Sequence, residues 1–472
     1  MIRNLKPYPT YKDSGVPWLG EVPEHWEIRR QRDCVELLIS NIDKRSQEGE
    51  VPIRLCNYTD VYKNDRITAH LRFMNGTATH EEIRRFRLRV GDVVITKDSE
   101  SWTDIGVPAL VEYEAPDLVC GYHLAVLRPR QEALTGGFLL RAIESPGVAV
   151  QYHIAANGVT RYGLSHCAIK NVHTPVPPLP EQAAIVRLLD HVDRRIRRYI
   201  RAKKKLIALL NEQKQAIVHR AVTRGLDPNV RLKPSGVDWL GDVPEHWTVS
   251  RVKNEFECLN SRRVPLSGVE RGAMKKRLFD YYGASGVIDK VDEYLFDDEL
   301  LLIAEDGANL VLRNLPLAII ARGKFWVNNH AHVLKPRRGN SDFLAGLMES
   351  FSYLPWISGA AQPKLTQDRL LSIPIVVPPP DEQDQIMRRA TAETAPIREA
   401  IAQATRQIAL LREYRTRLIA DVVTGKLDVR EVAARLPEET VEPEPPDETE
   451  MLEEGEEAED TESEVVAEEV EA

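Results

Sequence analysis

One segment of the sequence occurs twice, and this internal repeat constrains the fold more than any other feature. Residues 14–26 read SGVPWLGEVPEHW and residues 235–247 read SGVDWLGDVPEHW, with eleven of thirteen positions identical. Weaker echoes follow both copies in the same order, and the offset between them falls from 221 residues to 201. The order and spacing indicate that one scaffold is used twice, with a shorter second copy.

The ends of the two copies match closely, whereas their middles diverge. The Pro-rich segment 177–182 (PPLPEQ) returns as 378–383 (PPPDEQ), but little of the intervening sequence returns. Runs rich in Val, Ile and Leu at 87–95, 124–127 and 317–320 predict short strands in these middles. Divergence confined to the middles suggests two recognition regions that are fitted to two different targets.

A long helical pattern follows each Pro-rich segment, as expected where proline ends one element before another begins. Apolar residues of the first helix alternate at spacings of four and three over about five heptads, and the second helix repeats the pattern less cleanly. This spacing predicts that the two helices, each roughly 60 Å long, pair in antiparallel fashion; packing of each helix on its own domain is the alternative. The predicted seam residues are Ile185, Leu189, Val192, Ile196, Leu206, Leu210, Ile217, Ile386, Ile397, Leu411 and Leu418.

The tryptophans of the repeated motif have a structural interpretation. Trp18 and Trp239 lie in a Trp-Leu-Gly turn, and Trp26 and Trp247 close the motif. We predict that this motif fastens the start of each domain to the helices.

The length and composition indicate the class of protein. A chain of 472 residues exceeds one hydrophobic core and predicts two or three domains. It contains no run of eighteen apolar residues and no apolar signal core near Met1, so we expect a cytoplasmic protein. Its five cysteines lack a Cys-x-x-Cys pair, which predicts reduced thiols and argues against a zinc ribbon or a disulfide framework.

The net charge of −9 hides two regions of opposite sign. Residues 438–472 hold 18 acidic residues and no Lys or Arg, whereas 54 acidic residues face 63 basic ones in the rest of the chain. Because a segment rich in Pro, Glu and Thr buries too little apolar surface to fold, we expect an acidic disordered tail on a mildly basic body. A basic surplus favours phosphate contacts but does not by itself identify a partner.

The sequence lacks the motifs of the common catalytic sites. It has no phosphate-binding Gly-x-x-x-x-Gly-Lys-Ser/Thr loop, no Gly-x-Gly-x-x-Gly and no Asn-Pro-Pro-Tyr segment of the adenine methyltransferase type. His330 and His332 have no third ligand at metal-binding spacing, so we interpret them as ordinary polar residues. Asp98 and Asp306 align in the two copies, and we interpret each as a turn cap. We therefore predict a chain that is not an enzyme, with no metal and no cofactor of its own.

Cations and amides concentrate in the divergent middles, where readers of different DNA sequences would differ. Sequence-specific reading needs Arg, Lys, Asn or Gln at base edges, with further cations on the phosphates. A single basic run is also typical of a solvated surface, so the placement in both middles matters more than any one residue. The candidate DNA-binding residues are Lys63, Lys97, Arg161, Arg262, Arg263, Lys275, Lys276, Arg277, Asn328, Asn329 and Lys364.

Together these features resemble the specificity subunits of type I restriction-modification systems. The resemblance rests on the duplicated motif, on PPLPEQAAI at 177–185 with its long helix, and on YYGASGVI at 281–288 with AEDG at 304–307. It runs from Ser14 to Leu427 and implies an α+β fold, in which two globular target recognition domains are each followed by a long helix and the helices pair as an antiparallel coiled-coil spacer. The implied division is an N-terminal motif 1–26, a first target recognition domain 27–178, a first spacer helix 179–224, a repeated motif and linker 225–247, a second target recognition domain 248–379, a second spacer helix 380–425, and a C-terminal extension 426–472 with the acidic tail.

The resemblance also implies a function. It implies a non-catalytic subunit that binds a bipartite target in double-stranded DNA and directs adenine methylation and restriction by its partners. Those partners would be two methylation subunits that bind S-adenosylmethionine and ATP-dependent restriction subunits, with no membrane involved. Two alternatives stay open: a stand-alone nuclease or methyltransferase with an unrecognised active site, and a helical adaptor that binds proteins. The acidic tail departs from the family pattern, and we interpret it as solubilising, with mimicry of a phosphate backbone as the alternative.

Overall fold

The computed structural model describes residues 5–227, 229–237, 239–359 and 362–437, so the predicted acidic disordered tail lies outside the described residues. The chain divides into two compact units. Unit 1 combines Met1–Lys203 with Arg406–Ala472, and unit 2 is Lys204–Thr405. Among the described residues, no helix is long and apolar enough to cross a membrane.

The globular part of unit 1 contains short strands with helices between them. Its elements are β1 (Tyr11–Asp13), β2 (Glu21–Pro23), β3 (Glu27–Arg30), α1 (Gln31–Cys34), β4 (Val35–Ile39), β5 (Val51–Cys56), α2 (Tyr58–Tyr62), β6 (Arg66–Ile67), β7 (Met74–Ala78), α3 (His80–Phe86), β8 (Val93–Thr96), β9 (Asp98–Ser99), β10 (Pro108–Val111), β11 (Leu118–Cys120), β12 (Leu124–Pro129), α4 (Gly136–Glu144), α5 (Pro146–Ala155), β13 (Asn157–Gly158), β14 (Tyr162–Gly163), α6 (His166–Asn171) and β15 (His173–Val176). A long helix, α7 (Leu179–Arg224), follows and continues into unit 2.

The globular part of unit 2 has fewer and longer strands. Its elements are β16 (Leu232–Pro234), β17 (Asp242–Pro244), β18 (Thr248–Arg251), α8 (Val252–Glu255), β19 (Phe256–Cys258), a 3-10 helix (Asn260–Arg262), α9 (Gly268–Gly272), β20 (Phe279–Gly283), β21 (Gly286–Val291), β22 (Phe296–Ala304), α10 (Asn309–Leu312), β23 (Ala318–Val327), β24 (Ala331–Pro336), α11 (Ser341–Glu349), a second 3-10 helix (Leu354–Trp356), α12 (Gln367–Ser372) and β25 (Pro374–Val377). A second long helix, α13 (Pro380–Val423), follows and continues into unit 1, and a short helix, α14 (Arg430–Ala434), comes after it within unit 1.

The main sheets of the two units share one strand order. In unit 1 the order is β4-β12-β8-β10-β6, and in unit 2 it is β19-β24-β22-β23-β20, with β21 added at the edge. All neighbours are antiparallel except the equivalent pairs β10–β6 and β20–β23. Unit 1 adds two three-stranded sheets, β11-β5-β7 and β13-β14-β9. The α+β fold and the duplication are therefore confirmed.

One predicted strand starts later than its sequence suggests. The apolar run predicts a strand over 87–95, but β8 begins only at Val93. Gly91 has φ +92°, a left-handed conformation that ends an extended chain. The Asp92 carboxylate accepts a hydrogen bond from Arg89 N–H at 2.9 Å, so a turn precedes the strand.

The two long helices pair through opposite halves. In unit 1 the first half of α7 and the last half of α13 share one apolar core, and in unit 2 the last half of α7 and the first half of α13 share another. This pairing is that of antiparallel helices, and it confirms the predicted spacer. Pro396 lies inside α13, where it removes one backbone hydrogen bond.

The predicted seam residues differ in burial. Seven of them are buried, namely Ile185, Leu189, Val192, Ile196, Ile386, Ile397 and Leu418. Leu210, Ile217 and Leu411 are half-buried, whereas Leu206 is 40% exposed. Six of the seven buried residues belong to the apolar cores that the helices share with the globular parts, whereas Ile397 lies outside both cores.

The repeated motif is tied to the start of each long helix, as predicted. Trp26 Nε1 donates to Glu181 Oε2 at 2.9 Å, and His25 Nε2 lies 2.7 Å from Glu181 Oε1. Trp247 Nε1 and His246 Nε2 contact Glu382 in the same way, at 3.0 and 2.8 Å. The Glu of each Pro-rich segment thus accepts a hydrogen bond from a buried indole N–H, which would otherwise lack a partner.

The two units hold their helices differently. In unit 1, Arg141 is 1% exposed and its Nη2 lies 2.6 Å from Asp190 Oδ1. Arg415 of α13 joins the same network through Glu144 at 2.7 Å and Asp193 at 2.5 Å. Burial alone would raise the pKa of Asp193, but Arg197, Arg415 and Arg141 hold it below its usual range. The buried charges therefore stay ionised because they are paired.

Unit 2 has a glycine where unit 1 has Arg141. Gly346 occupies the equivalent position of α11, and a Cβ there would lie 3.3 Å from Val218 and 3.4 Å from Val222 of α7. Close apolar packing thus replaces the ion network.

Candidate nucleic-acid interface

Three segments of each divergent middle meet at the end of a central strand. In unit 1, just beyond β8, Lys97 N–H donates to the His123 carbonyl at 2.9 Å, and Leu164 N–H donates to the Lys97 carbonyl at 2.9 Å. Unit 2 repeats both bonds beyond β22, at 2.9 and 2.8 Å, through Glu305, His330 and Leu365. We call this arrangement the polar junction of each unit.

The polar junction of unit 1 gathers cations around one Asp–His pair. His123 Nδ1 lies 2.9 Å from Asp98 Oδ2, and Lys97 Nζ lies 3.3 Å from the same carboxylate oxygen. Arg161, exposed between β13 and β14, places Nη2 3.3 Å from His123 Nδ1. The structure therefore assigns Asp98 to an ion pair, where the sequence predicted a turn cap. Two cations border this pair.

The polar junction of unit 2 keeps the pair but changes its surroundings. His330 Nδ1 lies 2.9 Å from Asp306 Oδ1, which likewise corrects the turn-cap prediction for Asp306. The hydrogen bond to Asp306 raises the pKa of His330. Glu305 replaces the first unit's lysine, and it lies 2.6 Å from Arg263 Nη1 and 3.4 Å from Lys364 Nζ.

His332 belongs to the core of unit 2. It is fully buried, its Nε2 lies 2.7 Å from the Leu365 carbonyl, and its Nδ1 lies 2.9 Å from Asn260 Nδ2. Burial lowers the pKa of His332. Both ring nitrogens thus have protein partners, and the part of the chain that the structure describes holds no group of three His, Cys, Asp or Glu arranged for a metal ion.

Arg262 and Arg263 are adjacent but play different parts. The guanidinium of the exposed Arg262 lies 4.7 Å from the centre of the buried Phe296 ring, and its Nη2 donates to the Leu295 carbonyl at 3.1 Å. Arg263 instead turns inward, where its Nη1 donates to the Ala331 and Asn329 carbonyls at 2.8 and 3.1 Å in addition to Glu305. Its guanidinium is therefore engaged within the unit.

The basic run 275–277 is exposed on one turn. The Asp292 carboxylate accepts hydrogen bonds from the backbone N–H groups of Lys275, Lys276 and Arg277 at 3.1, 2.7 and 2.7 Å. These hydrogen bonds, above all the one from Arg277 N–H, lower the pKa of Asp292. One carboxylate thus fixes the backbone of the turn while three cationic side chains extend from it.

The remaining candidates lie at two further places. Asn328 is buried, and its Oδ1 accepts a hydrogen bond from His330 N–H at 2.8 Å, while Asn329 is exposed. Lys63 is exposed at the end of α2. The polar junctions therefore collect Lys97, Arg161, Arg263 and Lys364, and Asn328 and Asn329 adjoin that of unit 2. The other candidates lie elsewhere in the middles.

Sequence reasoning missed the Asp–His pairs as pairs. Asp98 and His123 are 25 residues apart, and no local pattern links them. Alignment of the copies did carry a usable signal, since Asp98 matches Asp306 at an offset of 208 and His123 matches His330 at 207. A polar pair that survives in both copies of a diverged segment indicates a shared position in space.

A family model described as the type I restriction modification DNA specificity domain matches the chain twice. The matched residues are 23–208 and 244–399, which together cover more than half of the chain. Each match begins within the repeated motif and ends inside one of the long helices.

Individual relatives agree with the family model. A chain described as the specificity subunit of the type I restriction enzyme MjaX of Methanocaldococcus jannaschii is 23% identical over 423 residues, which cover 87% of this chain and 96% of that one. A type I restriction enzyme specificity subunit of Haemophilus influenzae is 38% identical over 117 residues, covering 24% of this chain and 30% of that one. One solved structure is described as showing the complex assembly and conformational transition of the type I R-M system. It matches this chain with a TM-score of 0.57 at 15% identity, over 86% of this chain and 99% of that chain. The two chains therefore share the fold.

Proposed function

The chain belongs to the family of type I restriction-modification DNA specificity subunits, and we propose that it reads a bipartite target in double-stranded DNA with one half-site for each unit. The observation that carries this proposal is the pair of polar junctions: the same Asp–His pair, at the end of the same strand, in two units with different neighbouring charges. One arrangement of strands and one Asp–His pair, surrounded by different charges in each unit, suit two domains that recognise different DNA sequences.

The exposed cations of the middles, together with the half-buried Lys97 and the exposed Asn329, supply the contacts. We infer that Lys63, Lys97 and Arg161 face DNA in unit 1, and that unit 2 uses Arg262, Lys275, Lys276, Arg277, Asn329 and Lys364. Arginine, lysine and asparagine match the donor and acceptor pattern of base edges in the major groove, and lysines also bind phosphates as point charges. For Arg263 and Asn328 we infer a supporting role, since their side chains bond within unit 2.

The paired helices act as the spacer between the half-sites. A reader that binds each half-site weakly gains affinity when a rigid connection makes the second contact intramolecular. The ion network of Arg141 and Arg415 and the apolar contact of Gly346 support this role, because each joins a helix to a globular part within its unit.

Catalysis belongs to partners in this proposal. Two methylation subunits that bind S-adenosylmethionine would modify adenines at the site, and ATP-dependent restriction subunits would cut the DNA. The chain itself would contribute recognition alone, without a cofactor of its own. Its cytoplasmic location and the predicted domain boundaries stay predictions.

The proposal is tested by mapping methylation. We would co-express the chain with its methylation partner and sequence the methylated adenines of exposed DNA. We expect two short sequences separated by a gap of fixed length, and exchange of residues 27–178 for those of a relative should change one half only. Matched insertions of seven residues in α7 and α13 should lengthen the gap, whereas an insertion in α7 alone should abolish recognition.

Two results would overturn the proposal. One is a single uninterrupted methylated sequence that does not respond to changes in the helices. The other is methylation or cleavage of plasmid by the purified chain with S-adenosylmethionine and magnesium but without any partner.

A further inference from the structure

The two long helices differ sharply in charge. Helix α7 carries twelve Lys and Arg against four Asp and Glu, whereas α13 carries seven of each. Pairing of the helices requires only their apolar seam, so it does not explain the surplus of cations on one of them. The surplus points to an anionic occupant of α7.

Part of this surplus forms a line along one face of α7 within unit 1, where Arg187 and Arg198 are exposed and Arg194 and Arg201 are half-buried. Arg187, Arg194, Arg198 and Arg201 follow one another at spacings of seven, four and three residues, which place side chains on one helix face. The opposite face is buried and includes Ile185, Leu189, Val192 and Ile196. We call the four arginines the basic stripe; it extends over roughly 21 Å of helix.

The described chain ends at the beginning of this stripe. Arg187 Nη2 donates to the Leu436 carbonyl at 2.6 Å. Val429 and Ala433 of the preceding segment are buried in the core of unit 1, and Leu436 packs against it. The segment that precedes Pro437, the last described residue, therefore packs on unit 1 and ends next to Arg187 of the basic stripe.

The residues beyond Pro437 have the complementary charge. Residues 438–472 contain 18 Asp and Glu and no Lys or Arg. Thirty-five residues can extend over about 115 Å, several times the length of the stripe. Because the segment is covalently attached next to Arg187, its local concentration at the stripe is high even if each ion pair is weak.

We propose that residues 438–472 bind the basic stripe of α7 in the same chain and thereby keep nucleic-acid phosphates away from this helix. The contact is electrostatic, so it weakens as salt screens the charges. It restricts binding of random DNA to the recognition regions. The contact itself is independent of the proposed function; only its consequence for DNA rests on it.

Photo-crosslinking in the full-length chain tests the contact. We would place benzoylphenylalanine at Thr449 and identify crosslinked peptides by mass spectrometry. We expect crosslinks to residues 187–201 at low salt, and their loss both in 1 M salt and in a variant with Arg194→Glu, Arg198→Glu and Arg201→Glu. Crosslinks that fall elsewhere, or that survive in this variant, would refute the proposal.

A matched variant controls for the loss of positive charge. Arg388, Arg389 and Arg398 are exposed on α13, and their replacement by Glu should leave the crosslinks to 187–201 unchanged. Circular dichroism melting of both triple variants checks the fold. Because none of these six arginines is buried, we expect both variants to melt like the parent chain.

Binding of random-sequence duplex DNA tests the consequence. A full-length variant with every Glu and Asp of 438–472 changed to Gln or Asn should bind random DNA about tenfold more tightly at low salt, with a steeper dependence on salt. The stripe variant combined with this neutral tail should lose the gain. An unchanged affinity, or an equal gain without the stripe, would overturn the screening role, while site-specific methylation reports separately on the proposed function.

Discussion

Unit 1 and unit 2 have the same strand order and the same Trp–Glu contact, but they differ in how they use charge. Unit 1 buries Arg141 among three carboxylates and surrounds its Asp–His pair with Lys97 and Arg161. Unit 2 has Gly346 at the first position, and its polar junction contains Glu305. The comparison shows that one strand order and one set of helix contacts can be kept with different charges. Unit 1 has a buried ion network and cations around its Asp–His pair, whereas unit 2 has apolar packing and a carboxylate beside its pair.

The strongest test of this comparison concerns helix attachment. Arg141→Met should lower the free energy of unfolding of unit 1 by about 3–5 kcal/mol, because it leaves buried carboxylates without their partner. Gly346→Ala in unit 2 should change stability by about 1 kcal/mol or less, since helix propensity offsets a tight contact with two valines. Hydrogen exchange of β8 and β22 peptides in rising denaturant separates the units. Equal losses in both variants would contradict the two modes of attachment.

The next test uses the two glycines that lie just beyond the long helices. Gly225 and Gly425 follow the long helices with φ +73° and +75°, a region that costs L-residues roughly 1–2 kcal/mol. An alanine Cβ at 425 would overlap the Pro23 ring, whereas at 225 it would lie 3.2 Å from Trp247 Cζ2. Gly425→Ala should therefore be the more destabilising by about 1–3 kcal/mol in thermal melts. A lower melting temperature for Gly225→Ala than for Gly425→Ala would contradict this difference in packing.

A smaller effect separates the two readers. Lys97→Gln and Lys364→Gln each remove one cation from a polar junction, and each should weaken DNA binding by about 1 kcal/mol and reduce the salt slope by about one. Duplexes with one altered half-site should reveal which unit each variant affects. Uniform loss on both half-sites would show that these lysines do not belong to separate readers. Lys253→Gln, at an exposed position of unit 2, serves as the control.

The smallest effect is a dependence on pH in unit 2. The hydrogen bond to Asp306 raises the pKa of His330, so the protonated pair stabilises the folded unit below the unfolded pKa near 6.5. This stabilisation is lost as pH rises through the raised folded pKa. Asp306→Asn should lower the pKa of His330 in an NMR titration and weaken the pH dependence of unit 2 stability. Asp368→Asn, at an exposed position, should leave that pKa in place.

Much of the architecture could be predicted from local patterns. The repeat at Trp26 and Trp247 indicated two units, and the heptad spacing indicated two long helices. Cations in the divergent middles indicated where to look for DNA contacts. The inward turn of Arg263 could not be predicted, because adjacent Arg262 and Arg263 look alike in sequence and differ only in what surrounds them.

By itself the sequence determined what periodicity and duplication can encode: two copies of one scaffold, helices after each Pro-rich segment, and the contact of each motif with its helix. Only the tertiary structure decided which charges meet. Asp193 and Arg415 are 222 residues apart, and Asp98 and His123 are 25 apart, so their pairing depends on how the chain returns on itself. Hydrophobic spacing is a local property that any segment shows alone, whereas an ion pair between distant residues exists only once the fold has brought them together.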